Sequence, residues 1–169
     1  MAFGAVAARH LTHFDAVVRQ IRTQGARVEG IDAQGKVIHI SDGDTITVMH
    51  DGKKEKIRLY GIDTPEMKQS FGKEAKAFTE SMVSGKTVNV EPVTTDRYGR
   101  TVGIVHIDGK SLSAELVKSG LAWVYDRYCK KDMCDKWKQL EEAARQSKTG
   151  LWLQDDPVAP WAYRKKGKK

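Results

Sequence analysis

The chain has 169 residues, of which 40% are hydrophobic and 30% charged, and 29 Lys and Arg residues against 22 Asp and Glu residues give a formal net charge of +7. This length fits one domain with a real hydrophobic core, and the composition excludes a wholly disordered chain. No run approaches the roughly 18 apolar residues of a membrane-spanning helix, so we expect no membrane span. Five of the positive charges lie in residues 164–169, so net charge alone is weak evidence for a nucleic-acid partner.

Residues 1–30 form a predicted N-terminal extension. Its apolar residues recur at helical spacing, which predicts an amphipathic helix. These residues are Leu11, Phe14, Val17, Val18 and Ile21. We expect this helix to pack against the domain that follows.

Short alternating segments after Gly25 predict a barrel. The five predicted strands cover residues 37–40, 45–49, 55–60, 87–93 and 101–107. The predicted helices cover residues 73–83, 112–119 and 135–147. Five strands with a helix between the third and the fourth indicate an α+β fold, a Greek-key OB barrel over residues 31–153. Residues 154–169 are predicted to form an irregular strap and a basic tail. We expect the tail, residues 164–169, to strengthen nucleic-acid binding with little effect on turnover.

Two turns of the barrel carry the densest group of acidic residues. Asp44 follows the turn between the first two strands, and Asp63, Thr64 and Glu66 follow the third strand. Antiparallel strands can bring both segments to one rim of the barrel. Two carboxylates and a backbone carbonyl at that rim would form an oxygen-rich site suited to Ca²⁺.

Two arginines accompany these carboxylates. Arg58 lies on the third strand, and Arg100 lies in a turn that the barrel can place opposite. Their guanidiniums can grip phosphate oxygens and stabilise charge that develops at phosphorus, while Glu66 can orient or deprotonate a water. Each residue alone also fits an ordinary turn, helix cap or solvated charge, and only the ordered set favours catalysis.

Five motifs occur in a fixed order between residues 37 and 152. They are Asp42-Gly43-Asp44-Thr45, Arg58-Leu59 with Gly61-Ile62-Asp63-Thr64-Pro65-Glu66, Phe71-Gly72-Lys73-Glu74-Ala75, Asp96-Arg97-Tyr98-Gly99-Arg100 and Gly120-Leu121-Ala122. This order resembles the staphylococcal nuclease family, and the ending Pro160-Trp161-Ala162-Tyr163-Arg164 is similar to that of many bacterial members. The resemblance implies an OB barrel with three helices and a Ca²⁺-dependent hydrolysis of DNA and RNA that leaves 3′-phosphate ends.

The resemblance also implies roles for individual residues. The implied metal ligands are Asp44, Asp63 and the carbonyl of Thr64. The implied catalytic residues are Arg58, Glu66 and Arg100. Arg97 and Tyr98 match positions near the phosphate of a bound nucleotide.

The region where the family stacks a nucleotide on tyrosines is altered here to Tyr125-Asp126-Arg127-Tyr128. Tyr125 or Tyr128 stacks a base in one interpretation, and Tyr128 is the substrate-binding candidate. In the other interpretation either ring packs in the core with Trp123.

Cys129 and Cys134 form a short disulfide or remain two thiols. A disulfide would indicate an oxidising compartment.

The sequence as a whole predicts a secreted or periplasmic Ca²⁺-dependent nuclease that acts as a monomer on DNA, RNA or both. The alternative is a catalytically inactive OB module that only binds nucleic acid, and such a module would lack the acidic and arginine positions that are present here.

Overall fold

The computed structural model describes residues 34–167, which contain eight β-strands, four α-helices and a 3-10 helix. The strands are β1 (Gln34–Asp42), β2 (Thr45–His50), β3 (Lys53–Leu59), β4 (Ile62–Asp63), β5 (Thr87–Thr95), β6 (Thr101–Ile107), β7 (Lys110–Ser111) and β8 (Trp123–Val124). The helices are α1 (Gly72–Val83), α2 (Leu112–Lys118), α3 (Met133–Gln146) and α4 (Pro160–Lys166), with the 3-10 helix at Gly150–Leu153. The N-terminal extension predicted over residues 1–30 lies outside the described residues.

Five strands close into a barrel. Their order is β3-β2-β1-β5-β6 with antiparallel neighbours, and β3 closes the ring by pairing in parallel with β6. This arrangement confirms the predicted α+β OB barrel. Successive side chains of a strand point to opposite faces, so Ile57 and Leu59 of β3 are buried in the core while Arg58 between them is only partly buried. The apolar core therefore fixes the register that turns Arg58 out of the barrel.

The helices cover one side of the barrel. Helix α1 contacts β1, and α2 packs against α1, α3 and β6. The hydroxyl of Ser111 caps α2 by accepting a hydrogen bond from the backbone N–H of Ala114. Leu112 and Leu116 of that helix are fully buried in the barrel core. No helix within residues 34–167 is long and apolar enough to cross a membrane.

Besides β7 and the 3-10 helix, which were not predicted, the structure differs from the sequence prediction in two features near the candidate site. A short ladder joins β4 to β8 by pairing Ile62 with Val124 and Asp63 with Trp123, and no strand was predicted there. A fourth α-helix, α4, stands within the segment that was predicted to be a strap and tail. Of the two alternatives for the cysteines, the structure has the disulfide, with a Cα–Cα distance of 5.7 Å between Cys129 and Cys134.

Candidate active site

Arg58 joins the two candidate metal-ligand carboxylates. Its Nη1 lies 3.0 Å from Oδ2 of Asp44, and its Nη2 lies 2.8 Å from Oδ1 of Asp63. Both carboxylates are buried, and the Arg58 side chain is 15% exposed. A planar guanidinium that is held on both sides in this way is fixed in orientation. The structure thus brings together three of the residues that the sequence singled out.

The β1–β2 turn packs directly on the loop after β4. The backbone N–H of Thr64 donates to Oδ2 of Asp44 at 2.7 Å, and the Thr79 hydroxyl donates to the carbonyl of Gly43 at 2.6 Å. A Cβ added at Gly43 would lie 2.8 Å from Cβ of Ala75 and 2.9 Å from Oγ1 of Thr64. Only glycine allows this approach, which places Asp44 beside Thr64.

Glu66 lies in a tight loop that ends at α1. The carbonyl of Glu66 accepts a hydrogen bond from the backbone N–H of Gln69, and the backbone N–H of Glu66 donates to Oε1 of Gln69 at 3.2 Å. A Cβ on Gly72 would lie 2.0 Å from the Glu66 carbonyl oxygen, so the start of α1 presses against this loop. The backbone of Glu66 is therefore fixed, while its side chain remains 40% exposed.

Arg164 is the site residue that sequence reasoning missed. It projects from α4, and its Nη2 lies 2.7 Å from Oδ2 of Asp63. Its Nη1 lies 2.6 Å from Oε1 of Glu66 and 3.2 Å from Oδ1 of Asp63. The prediction counted Arg164 among the charges of a basic tail, although the family-like ending from Pro160 to Arg164 was a signal that could have found it.

Asp42 is a second site residue without a predicted role, because the sequence indicated only that it belongs to a hairpin turn. Its Oδ1 accepts a hydrogen bond from the backbone N–H of Asp44 at 3.2 Å. Burial and the adjacent Asp44 carboxylate raise the pKa of Asp42 to about 6. Burial also raises the pKa of Asp63, although the hydrogen bonds from Arg164 and the charge of Arg58 oppose the shift. Burial is the largest cause of both shifts, and the Asp44 carboxylate adds to each of them.

The donor set fits a hard divalent cation. No group of three or more His, Cys, Asp or Glu side chains within residues 34–167 is arranged to hold a metal ion by itself, and the predicted set consists of two carboxylates and a backbone carbonyl. All its donors are oxygens, which suits Ca²⁺. The carboxylates at this rim are Asp42, Asp44, Asp63 and Glu66, and the guanidiniums that contact them are Arg58 and Arg164. Four carboxylates against two guanidiniums leave two negative charges, which one divalent cation would compensate.

Arg100 lies in the β5–β6 turn and contacts residues of that same turn. Its Nε lies 2.6 Å from Oδ2 of Asp96, whose Oδ1 accepts from the backbone N–H groups of Tyr98 and Arg100. Burial opposes the shift, but these hydrogen bonds lower the pKa of Asp96. Arg100 immediately precedes Thr101, which pairs with Ile57 of β3, so this turn lies beside the strand that carries Arg58.

Arg97 and Tyr98 stand at the exposed tip of the β5–β6 turn. The Tyr98 ring is 68% exposed, and the Arg97 guanidinium lies 4.8 Å from its centroid. The guanidinium also donates to the Tyr98 hydroxyl at 2.6 Å. An exposed aromatic face next to a cation is a combination that can contact a base and its phosphate.

Tyr125 and Tyr128 contact each other outside the barrel core. Tyr125 stacks on Trp161 of α4, with ring centroids 4.7 Å apart and planes 10° apart. Tyr128 meets the ring of Tyr125 edge-on at 4.8 Å and is 56% exposed. Trp123 instead packs edge-on against Trp152 and Trp161. Trp161 thus covers a face of Tyr125, whereas Tyr128 keeps an exposed ring.

The chain is similar to several known proteins. A family model described as "Staphylococcal nuclease homologue" matches residues 56–154. A protein named "Uncharacterized endonuclease" from Escherichia coli O157:H7 is 43% identical over 134 residues, which cover 79% of this chain and 86% of that protein. "Staphylococcal-like nuclease CAN1" from Arabidopsis thaliana is 46% identical over 113 residues, which cover 67% of this chain and 34% of that protein.

Proposed function

The chain belongs to the staphylococcal nuclease family, and on that premise we propose that it is a nuclease that hydrolyses phosphodiester bonds of DNA, RNA or both. We further propose that the reaction needs Ca²⁺ and leaves 3′-phosphate ends. The observation that carries the proposal is the Arg58 guanidinium, which is held between Asp44 and Asp63. Arg164 contacts both Asp63 and Glu66, so Glu66 belongs to the same rim.

The proposed reaction is an in-line displacement at phosphorus. A water attacks phosphorus, the bond to the 5′ oxygen breaks, and the products carry a 3′-phosphate and a 5′-hydroxyl. Glu66 orients the water or takes its proton. Arg58 and Arg100 donate hydrogen bonds to the phosphate oxygens on which negative charge develops. Arg58 is already fixed by its two carboxylate partners, so little reorganisation is needed when the charge appears.

The metal-binding part of the proposal rests on the buried oxygens beside Arg58. Asp44, Asp63 and the Thr64 carbonyl would hold Ca²⁺, which would supply positive charge to a phosphate oxygen. Arg97, Tyr98 and Tyr128 would contact the rest of the nucleotide strand. The exposed side chains of all three residues support this assignment.

The decisive experiment is a cleavage assay on plasmid DNA and on RNA, first with Ca²⁺ and then with excess chelator. We expect cleavage with Ca²⁺, loss with chelator and recovery when Ca²⁺ is restored. R58K and E66Q should each lower kcat by about 10²–10³-fold, because each removes a preorganised group at the reacting centre. E80Q is the matched control, since Glu80 is exposed on α1 and pairs with Lys76 of the same helix.

Two outcomes would contradict the proposal. Undiminished cleavage in chelator would exclude the Ca²⁺ requirement. Folded R58K and E66Q variants with normal turnover would favour the alternative, a module that only binds nucleic acid. A separate test identifies the ends of the fragments. Cleavage that leaves a 3′-phosphate also leaves a 5′-hydroxyl, which accepts a labelled phosphate from polynucleotide kinase without prior dephosphorylation. Fragments that must first be dephosphorylated would refute the 3′-phosphate assignment.

We also propose that the protein works in an oxidising compartment and is secreted or periplasmic. The Cys129–Cys134 disulfide supports this, because disulfides persist in such compartments and are rare in the cytosol. Fractionation of the source cells, followed by thiol labelling before and after reduction, tests the location. A cytosolic pool with both thiols labelled without reduction would contradict it.

A further inference from the structure

The C-terminal segment is tied to the Glu66 loop at two separate points. The side chain of Arg164 contacts the Glu66 carboxylate at 2.6 Å. Independently, Gln69 accepts from the Glu66 backbone N–H and donates to the carbonyl of Val158 at 2.5 Å. Both the backbone and the side chain of Glu66 are therefore linked to residues that lie about 90 to 100 positions later in the chain.

Helix α4 is itself docked on the domain and does not extend freely into solvent. Trp161 stacks on Tyr125 and meets Trp123 edge-on at 5.7 Å. Pro160, the first residue of the helix, is buried. Trp123 is paired with Asp63 across the β4–β8 ladder, so the aromatic anchor of α4 lies next to the strand that carries the site. This docking presents Arg164 to the carboxylates.

The guanidinium of Arg164 is placed to fix the direction of the Glu66 side chain. It binds both oxygens of Asp63, which is 1% exposed, and its Nη1 also contacts Glu66. Glu66 is 40% exposed and would otherwise be free to rotate in solvent. Since a planar guanidinium sets the geometry of each carboxylate that it binds, Arg164 relates Glu66 to Asp63 in a defined arrangement.

We propose that Arg164 is a positioning residue of the active site, which holds the Glu66 carboxylate beside Asp63 so that Glu66 can direct the attacking water. The proposal rests on the proposed nuclease function and deepens it. It makes α4 part of the catalytic apparatus, whereas the sequence indicated only an electrostatic tail. A displacement of a reacting group by about 1 Å can cost about 10²-fold in rate, which is the scale expected when the Glu66 side chain is released.

The experiment compares steady-state kinetics of the full chain with R164Q, R164K and the control K165Q on a labelled oligonucleotide. R164Q should lower kcat by about 10- to 100-fold and change KM by less than about threefold. R164K should recover part of the loss, because it keeps the charge but not the fork. K165Q removes a charge from the same helix and should affect KM, through weaker attraction to phosphate, with kcat within about twofold.

A double variant tests whether Arg164 acts through Glu66. If it does, E66Q/R164Q should be no slower than E66Q alone, because the group that Arg164 positions is already disabled. Binding of an uncleaved oligonucleotide in chelator, measured by fluorescence anisotropy, should be nearly equal for R164Q and the unmodified chain. Near-UV circular dichroism reports whether the Trp161–Tyr125 stack, and with it the docked helix, persists in each variant.

Four results would overturn the inference. Unchanged kcat in a folded R164Q would deny the positioning role, and so would fully additive losses in E66Q/R164Q. A higher kcat in R164Q would show that α4 obstructs the site. If R164Q loses the docked helix, R164K decides, since a docked R164K with full activity refutes the need for a guanidinium. Failure of the proposed function is distinguishable, because then the unmodified chain itself would cleave nothing.

Discussion

Replacing Asp42 with Asn should stabilise the protein at neutral pH. The pKa of Asp42 is raised from 3.8 to about 6, chiefly by burial and by the Asp44 carboxylate. A raised pKa in the folded state means that the native protein binds the proton more tightly than the unfolded chain does. The contribution of this carboxyl to stability is therefore fully present below about pH 4 and is lost as the pH rises through about 6.

The size of the effect follows from the shift. A difference of about two pKa units at about 1.36 kcal/mol per unit gives about 3 kcal/mol. This value is an upper limit, because Asp42 is only half-buried and water screens part of its charge. Asn has the shape of the protonated side chain and keeps the oxygen that accepts from the Asp44 N–H. We therefore expect D42N to raise the free energy of unfolding by about 1–3 kcal/mol at pH 7.

The assay is urea unfolding of both proteins at pH 7 and pH 4, in chelator, with D155N as the control. Asp155 is exposed, so the same chemical change there should alter stability by less than about 0.5 kcal/mol. The advantage of D42N should fall to a small fraction of its pH 7 value at pH 4, because Asp42 is then protonated in the folded protein and close to half protonated in the unfolded chain. A D42N protein that is less stable at pH 7, or equally advantaged at both pH values, would refute the electrostatic reasoning.

Two further predictions concern the framework of the site. Gly43→Ala should lower the thermal unfolding midpoint and reduce kcat, because the new Cβ would press on Ala75 and Thr64 at 2.8–2.9 Å. Gly167→Ala is the matched control, because its φ of −78° suits alanine and an added Cβ would meet only the Tyr163 carbonyl oxygen at 4.0 Å. A G43A protein with unchanged stability and activity would contradict the packing. Replacing both Cys129 and Cys134 with Ala should lower the free energy of unfolding by about 2–3 kcal/mol, as measured by denaturant titration. Cleavage should be retained under conditions where the variant is folded. An unchanged free energy of unfolding would show that the disulfide adds no stability.

Most of the barrel could be predicted because its signals are local. The predicted strands and helices from residue 37 to residue 147 agree with β1–β3, β5, β6 and α1–α3, with small differences at their ends. Alternation in β3 and the turns at Asp42-Gly43 and Asp51-Gly52 depend only on neighbouring residues. The β4–β8 ladder has two residues in each strand, which is too short to show a period.

In the candidate site, too, the contacts between residues close in sequence could be predicted and the distant contact could not. Asp44, Arg58 and Asp63 belong to motifs that lie close together in the chain, and the structure joins their side chains at one rim, as the sequence analysis expected. The contact between Arg164 and Asp63 spans 101 positions and depends on how α4 docks. Nothing in the charge pattern separates Arg164 from the lysines that follow it. From composition alone, all of these residues belong to a solvated tail.

The charges at the rim connect stability with the proposed metal. Burial raises the pKa of both Asp42 and Asp63, so keeping these carboxylates ionised at pH 7 costs folding free energy. If Ca²⁺ binds at Asp44 and Asp63, it must recover part of that cost, and Ca²⁺ should then stabilise the unmodified chain more than D42N. Adding Ca²⁺ to the unfolding experiment measures this difference without any cleavage. Equal stabilisation of both proteins would show that Asp42 does not contribute to the field that attracts the cation.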